Sequence, residues 1–264
     1  MAAQPSFRDR VHTGLVEELR AAGCVFAEAE ADVLTAEADS SEELAEFVRR
    51  RTAGLPLEQV LGWAEFCGLR IIVEPGVFVP RHRTELLARC AAEGLAPGDV
   101  VVDLCCGSGA VGAVLGRAIA GIDLYAGDVD PIAVRCARRN IERFGGRVYA
   151  GDLCAPLPAS IAGCVDVLVA NAPYVPTAAV AFLPSEARSY EPRIALDGGG
   201  DGLDVHRRLA DAAPGWLAPS GRLLMEIGES QADAAIAVFG AAGLAATVRT
   251  SEVYDATVVV GTRP

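Results

Sequence analysis

The sequence predicts an α/β fold with a mostly parallel β-sheet, preceded by a small helical region. Three observations support this prediction. Beyond residue 97, short apolar segments alternate with segments of helical periodicity, which is the pattern of βαβ units. Residues 6–52 instead carry apolar positions at three-to-four spacing with charges between them, as amphipathic helices do. The chain of 264 residues is 52% hydrophobic, so it can bury a full core.

The elements of the α/β part follow from short apolar runs and from their flanking residues. Asp130 precedes Pro131 in the arrangement of an N-cap followed by a first-turn proline, so a helix begins there. The last two strands are joined by a short polar turn and should close the sheet as an antiparallel hairpin. We predict strands at 100–104, 123–126, 147–150, 165–170, 222–227, 246–251 and 257–260, and helices at 110–120 and 131–144.

The region before the sheet should consist of two or three short helices and then a hairpin. The segments 69–73 and 77–79 have strand character, and Glu74-Pro75-Gly76 between them is a good turn sequence. We therefore expect these two segments to pair and to link the helical part to the sheet.

Composition narrows the classes of partner and compartment. The net charge of −12 opposes direct binding to a nucleic-acid backbone. The eight cysteines form no C-x-x-C pair, so we expect neither a zinc site nor a disulfide framework. Charged residues at 8–10 occupy the place of a signal-peptide core, and no long uncharged apolar stretch follows. We predict a cytoplasmic monomer that contacts no membrane.

A glycine-containing loop follows the buried strand 100–104. Ligands of doubly wound folds lie at the carboxyl ends of such strands. Because Gly107, Gly109 and Gly112 fit G-x-G-x-x-G, a nicotinamide or flavin dinucleotide must be considered. The loop residues that we predict to bind the cofactor are Cys105, Cys106, Gly107, Ser108 and Gly109.

Three acidic residues lie around the loop, and Asp103 helps to decide which cofactor binds there, since either cofactor would use Asp128 in the same way. Asp103 lies just before the loop, where a carboxylate opposes a pyrophosphate but suits the ammonium and sulfonium charges of S-adenosylmethionine. Asp128 ends the second strand, at the interval where an acidic group meets ribose hydroxyls. Asp152 follows the third strand and could border the adenine ring. The alternative interpretation is that all three are solvated residues that merely end their strands.

The tetrapeptide Asn171-Ala172-Pro173-Tyr174 directly follows the fourth strand, and we predict that it is the catalytic segment. An amide nitrogen is a poor nucleophile because its lone pair is delocalised, so two acceptors must orient its N–H groups. The Asn171 side-chain oxygen and the Ala172 carbonyl suit that role, while Pro173 fixes the backbone and Tyr174 offers an aromatic face. Catalysis would then be positioning and electrostatics. The alternative is a turn that only leaves the strand.

With these residues, the chain resembles the HemK/PrmC family of protein glutamine-N5 methyltransferases over residues 50–264. The resemblance rests on an ordered set of segments: 54–57, 61–62, 65–69, 79–81, 84–85, the Asp103 loop, Asp128, 171–174, 191–192, 195–196, 201–203 and 221–228. The known substrates of this family are peptide-chain release factors that carry a Gly-Gly-Gln loop.

The resemblance implies a class I S-adenosylmethionine-dependent methyltransferase fold, with a seven-stranded sheet and a small helical N-terminal domain. It implies a substrate-recognition domain at 1–58, a β-hairpin at 59–82 and the methyltransferase domain at 83–264. It also implies that Leu153 and Asn171 join the loop and Asp128 in binding the cofactor. Residues 171–174 would hold the glutamine of a release factor.

The sequence departs from the family pattern at three places. Ala172 replaces the first proline of Asn-Pro-Pro-Tyr, Cys105 replaces the first loop glycine, and His82-Arg83 replaces a proline and an acidic residue. The last change reverses a charge near the expected cofactor entrance, and the helical region is short. Three alternatives therefore remain: methylation of an adenine or guanine amino group, methylation of a small molecule, or a non-catalytic module that binds S-adenosylmethionine.

Overall fold

A computed structural model of the protein describes residues 7–264. Its helices are α1 (Phe7–Ala21), α2 (Ala27–Glu37), α3 (Ser41–Thr52), α4 (Leu57–Leu61), α5 (Glu85–Ala92), α6 (Ala110–Ala118), α7 (Pro131–Ile141), α8 (Ser185–Tyr190), α9 (Asp204–Trp216) and α10 (Ala232–Ala241). Its strands are β1 (Trp63–Phe66), β2 (Leu69–Ile72), β3 (Val100–Leu104), β4 (Asp123–Asp128), β5 (Arg147–Ala150), β6 (Val165–Ala170), β7 (Leu217–Ile227), β8 (Ala245–Ser251) and β9 (Ala256–Thr262).

The N-terminal helices have a small core of their own. Leu15, Leu19, Leu34 and Val48 are buried together between α1, α2 and α3, which confirms the predicted amphipathic helices. The short helix α4 adds to them. Residues 1–6, which include the first residue of the predicted helical segment 6–52, lie outside the described part of the chain. The domain boundaries at 58 and 82 stay predictions.

The predicted hairpin was placed wrongly. β1 pairs antiparallel with β2, whereas residues 77–79 form no strand. The turn is Cys67-Gly68, and both residues have positive φ, 49° and 73°. Two residues with positive φ suit the twist of a two-residue hairpin, so the chain reverses there and not at Glu74-Pro75-Gly76. The apolar Val73, Val77 and Val79 are buried outside any strand.

The main sheet has the strand order β5-β4-β3-β6-β7-β9-β8. The first five are parallel, and β9 lies antiparallel between β7 and β8, which confirms the predicted fold class. From β3 the chain proceeds outward to β4 and β5, and it then returns to β6 on the other side of β3. This reversal leaves a crevice beyond the carboxyl ends of β3 and β6, the position where doubly wound folds bind ligands.

The helix beside this crevice begins as the sequence predicted. The Asp130 carboxylate accepts a hydrogen bond of 2.8 Å from the Ile132 amide and caps α7, with Pro131 in the first turn. The predicted helix 131–144 ends at Ile141 and continues as a 3₁₀ turn to Phe144. Within residues 7–264, no helix is long and apolar enough to span a bilayer.

One buried asparagine fixes the hairpin to the sheet. The Asn140 amide accepts from the Ile72 N–H and donates to the Ile72 carbonyl, both at 2.9 Å. The same Nδ2 donates to the carbonyl of Ser108 in the glycine loop at 2.9 Å. Buried polar groups need such partners, so α7 holds both the hairpin and the loop in place.

Candidate active site

A cavity of about 550 Å³ opens beyond the carboxyl ends of β3, β4 and β6. Its volume is within the range of small-molecule sites. Most of the residues predicted to bind the cofactor or the acceptor line this cavity. They are Asp103, Cys105, Cys106, Gly107, Ser108, Asp128, Asp152, Leu153, Asn171, Ala172, Pro173 and Tyr174. Gly109 does not line it. We call the part around Asp103, Gly107 and Asp128 the glycine-loop end, and the part around residues 171–174 the tetrapeptide end.

At the glycine-loop end, carboxylates accept hydrogen bonds from backbone amides. The Gly107 N–H donates to Asp128 at 2.9 Å, and the Gly112 N–H donates to Asp103 at 2.8 Å. The second oxygen of Asp128 accepts from the Asp130 amide at 2.9 Å. These amides are therefore occupied by side chains. A phosphate would need such amides free, so the loop does not suit a pyrophosphate.

The backbone of the loop turns through the left-handed region. Gly109 has φ of 77°, and a Cβ there would lie 2.7 Å from the Ile141 side chain, so this glycine serves packing. Cys105 has φ of 52°, which a residue with a side chain adopts at some cost. The glycine expected at the position of Cys105 would adopt this conformation more easily.

Burial makes the two loop carboxyls hard to ionise. Burial raises the pKa of Asp103 to about 7, and the negative charge of Asp128 raises it further. The hydrogen bond from the Gly112 amide acts in the opposite direction and lowers this pKa. Burial also raises the pKa of Asp128, while backbone amides lower it. A cation placed between these two groups would restore their ionisation.

Asp152 and Leu153 lie on the cavity wall beyond β5. Asp152 is exposed and forms an ion pair with Arg208, so its carboxylate already has a partner. Leu153 has φ of 48°, a strained value for a side chain of this size.

At the tetrapeptide end, two side chains are bound by residues from elsewhere in the chain. The Asn171 amide Nδ2 donates to the Thr84 hydroxyl at 3.2 Å. The Tyr174 hydroxyl donates to Glu226 Oε1 at 2.8 Å. Burial, and then the Glu226 charge, raise the pKa of Tyr174. The Asn171 oxygen is therefore the atom left for a ligand, and Tyr174 is held at its far end.

A glycine-rich loop lies against the backbone of the tetrapeptide. A Cβ on Gly198 would lie 2.6 Å from the Pro173 carbonyl, and one on Gly202 would lie 2.2 Å from the Tyr174 carbonyl. The Gln231 amide donates to the same Tyr174 carbonyl at 2.9 Å. Only glycine permits this approach, so the loop fixes the path of the tetrapeptide.

The segment that carries Thr84 is anchored by a buried acid. Glu191 accepts from the Val79 amide at 3.1 Å and from Arg81 at 2.6 Å. Arg83, two residues on, lines the cavity and forms no ion pair within the described chain, whereas Arg81 and Arg208 are both paired. Arg83 is close enough to lower the pKa of Tyr174 and of Glu226. Arg83, which replaces the acidic residue of the family pattern, therefore lies beside the tetrapeptide end.

Sequence reasoning gave no role to four residues of this site: Thr84, Glu226, Gln231 and Gly198. Glu226 was detectable, since it is an acid inside the apolar run 223–227 and is 2% exposed. A buried acid in a central strand needs a reason. The other three gave no local sign, because their partners are 57 to 87 residues away or are backbone groups. In the described chain, no group of three or more potential ligands could hold a metal ion.

Comparison with known proteins identifies the class of the chain. Residues 68–185 match the family model described as "Methyltransferase small domain". A solved methyltransferase from Pyrococcus furiosus superposes with a TM-score of 0.56 at 17% identity, covering 85% of this chain and 99% of its own. At that identity the likeness concerns the fold. The fold and the matched domain define a class I methyltransferase, a class that implies use of S-adenosylmethionine.

Curated relatives narrow the class to one family. A protein of Geobacter sulfurreducens named release factor glutamine methyltransferase is 40% identical over 207 residues, which are 76% of this chain and 72% of the relative. The chain belongs to the release factor glutamine methyltransferase family, and the resemblance found in the sequence is confirmed. A Streptomyces pristinaespiralis protein named 4-amino-L-phenylalanine/4-methylamino-L-phenylalanine methyltransferase is 36% identical, covering 75% of this chain and 69% of the relative.

Proposed function

We propose that the protein transfers a methyl group from S-adenosylmethionine to the side-chain nitrogen of a glutamine in the Gly-Gly-Gln loop of a peptide-chain release factor. The observation that supports this most is that one cavity joins the acidic glycine-loop end to Asn171. The relatives named as release factor glutamine methyltransferases support the same acceptor.

The glycine-loop end fits the adenosyl donor. Asp103 would face its positive charge, and Asp128 keeps lone pairs for ribose hydroxyls beyond the two backbone amides that it accepts. The loop 105–109, Asp152 and Leu153 would border the nucleoside, and Asn171 would lie between donor and acceptor. When bound, S-adenosylmethionine supplies a methyl group that is already activated on sulfur.

The tetrapeptide end would orient the acceptor. The Asn171 oxygen and the Ala172 carbonyl accept the two N–H groups of the glutamine amide, which directs the nitrogen lone pair toward the methyl carbon. The glutamine nitrogen would take the methyl group from the donor, which would be left as S-adenosylhomocysteine, and one amide proton would pass to solvent. The residues act by placing the amide and by stabilising its developing charge, so no side chain needs to remove the proton first.

Methyl transfer to defined acceptors tests the proposal. Purified protein is incubated with labelled S-adenosylmethionine and a release factor, and the labelled atom is located by mass spectrometry. We expect label on the glutamine of the Gly-Gly-Gln loop and none on the same factor with that glutamine replaced by glutamate. Label on another residue, on a nucleobase or nowhere would contradict the assignment, and binding of donor without transfer would indicate a non-catalytic module.

A second candidate function is methylation of an amino group on a small molecule that carries a carboxylate. Arg83 favours it, as a cation without an ion-pair partner in the described chain beside Tyr174, and so does the relative named for 4-amino-L-phenylalanine. On this reading, Arg83→Gln reduces turnover of 4-amino-L-phenylalanine but not of its decarboxylated analogue. Equal rates for the two compounds in the unaltered protein would exclude a role for the carboxylate.

A further inference from the structure

The carboxamide of Asn171 can present either its oxygen or its NH₂ to the cavity, and only the oxygen accepts an N–H from an acceptor amide. The two orientations have nearly the same shape, so packing alone does not choose between them. A hydrogen-bond partner behind the side chain must do so. That partner is Thr84, which is 3% exposed and accepts from Nδ2 at 3.2 Å.

A threonine hydroxyl is itself ambiguous, because it can donate as well as accept. If Thr84 donated toward Asn171, the carboxamide would turn and its NH₂ would face the acceptor. Thr84 is a reliable acceptor only where its own proton has another destination. That destination must be a group that accepts and does not donate.

Glu226 meets this requirement in its ionised form, because a carboxylate only accepts hydrogen bonds. Its Oε1 accepts from Tyr174 at 2.8 Å, while its buried Oε2 has no hydrogen-bond partner among the described residues. Burial raises the pKa of Glu226, whereas the Thr84 and Tyr174 hydroxyls and the Arg83 charge lower it. A carboxylate oxygen left without a donor in an apolar interior destabilises the protein. The Thr84 hydroxyl lies near this carboxyl group, since it contributes to lowering the pKa of Glu226, and it is therefore the candidate donor.

We propose that Glu226 and Thr84 are positioning residues: the Thr84 hydroxyl donates to the free oxygen of Glu226, becomes an acceptor for Asn171, and so turns the Asn171 oxygen toward the acceptor. Glu226 thereby fixes two members of the tetrapeptide, Asn171 through Thr84 and Tyr174 directly. The inference deepens the proposed function, since it rests on Asn171 holding an acceptor amide.

The chain offers a direct test that does not depend on activity. It contains two asparagines, Asn140 and Asn171, so ¹⁵N-asparagine labelling gives two side-chain amide signals, one of them an internal reference. Thr84→Val and Glu226→Gln should both move the Asn171 signals and leave those of Asn140 unchanged, although Glu226 does not contact Asn171. Thr84→Ser should restore them. Tyr174→Phe, which removes only the donor to Oε1, should leave the Asn171 signals close to those of the unaltered protein.

Kinetics give the second measurement. Thr84→Val and Glu226→Gln should each lower kcat about 10–100-fold with little change in the Kd of S-adenosylmethionine, and the double variant should be no worse than the worse single one, because the two residues act as one unit. Thermal unfolding shows whether each variant is folded. The proposed network would be overturned if the kcat losses of the two single variants multiplied in the double variant, or if Glu226→Gln left the Asn171 signals unchanged. An unaltered protein that methylates no glutamine, with the spectra as expected, would overturn the proposed function alone.

Discussion

The glycine-loop end and the tetrapeptide end of the cavity hold their polar side chains by different means. At the glycine-loop end, Asp103 and Asp128 are held by amides 9 and 21 residues away on neighbouring elements. At the tetrapeptide end, Asn171 and Tyr174 are held by side chains 87 and 52 residues away. The first end is built from the backbone of one βαβ unit. The second depends on the whole fold, and its chemistry can change through residues outside the motif.

The difference predicts that single changes at the tetrapeptide end act on turnover. Asn171→Ala should lower the rate of methyl transfer about 100–1,000-fold, as removal of one positioned hydrogen-bonding group does in other active sites. The free energy of unfolding should hardly change, since Asn171 makes one side-chain hydrogen bond. Turnover at saturating donor measures this, with Thr177→Ala as an exposed control outside the cavity. A loss confined to donor affinity would place Asn171 at the other end.

Changes at the glycine-loop end should act on donor affinity. Asp128→Ala should raise the Kd of S-adenosylmethionine about 10–150-fold, the range for hydrogen bonds to a charged group, with kcat at saturation nearly kept. Asp152→Ala is the matched control. Because Asp152 is exposed and paired with Arg208, its loss should matter much less. Calorimetry measures the Kd of the donor for both variants. Equal increases in Kd would contradict the specific role proposed for Asp128.

Donor affinity should also depend on pH through Asp103. Its pKa is raised to about 7, so above that pH the carboxylate is charged and attracts the cationic donor, and below it the group is neutral. Affinity should therefore fall by up to about tenfold in total as pH is lowered from about 8 to about 6, with most of the loss below pH 7. Titration calorimetry across this range measures the slope. Asp103→Asn should bind weakly at every pH, and a slope that persists in that variant would assign the effect to another group.

The smallest effect is expected at the glycine-rich loop behind the tetrapeptide. Gly198→Ala would bring a Cβ within 2.6 Å of Pro173, whereas at Gly200 nothing lies within 4 Å. Overpacking at Gly198 should cost about 1–3 kcal/mol of stability and lower turnover, with donor affinity unchanged. Denaturant unfolding compares the two alanine variants. If they behave alike, this loop does not fix the path of the tetrapeptide.

The sequence predicted most of the sheet and the glycine-loop end, because their determinants are local. The apolar runs at 147–150 and 165–170 coincide with β5 and β6, and Asp130-Pro131 marked the start of α7. The hairpin was misplaced because the two-residue turn at Cys67-Gly68 is a weaker sequence pattern than Glu74-Pro75-Gly76. A turn sequence states where a chain can reverse, and cross-strand packing decides where it does.

The sequence predicted only part of the tetrapeptide end. The motif placed Asn171 and Tyr174 at the end of a strand, but nothing local indicated that Thr84, Glu226 and Gln231 converge behind them. Arg83 was read near the cofactor entrance, and in the structure it acts on Tyr174 and Glu226. Such contacts join segments that meet only when the sheet has formed.

Asn140 has a mechanical consequence. Its amide bridges the hairpin strand β2 and the loop after β3, so swinging the hairpin outward would leave the partly buried backbone groups of Ile72 and the buried carbonyl of Ser108 without this partner. Each such group costs about 1–3 kcal/mol. We therefore expect the hairpin to stay attached to the sheet and not to act as a hinge. If a protein binds to the N-terminal helices, we expect the depth of the cavity to stay the same.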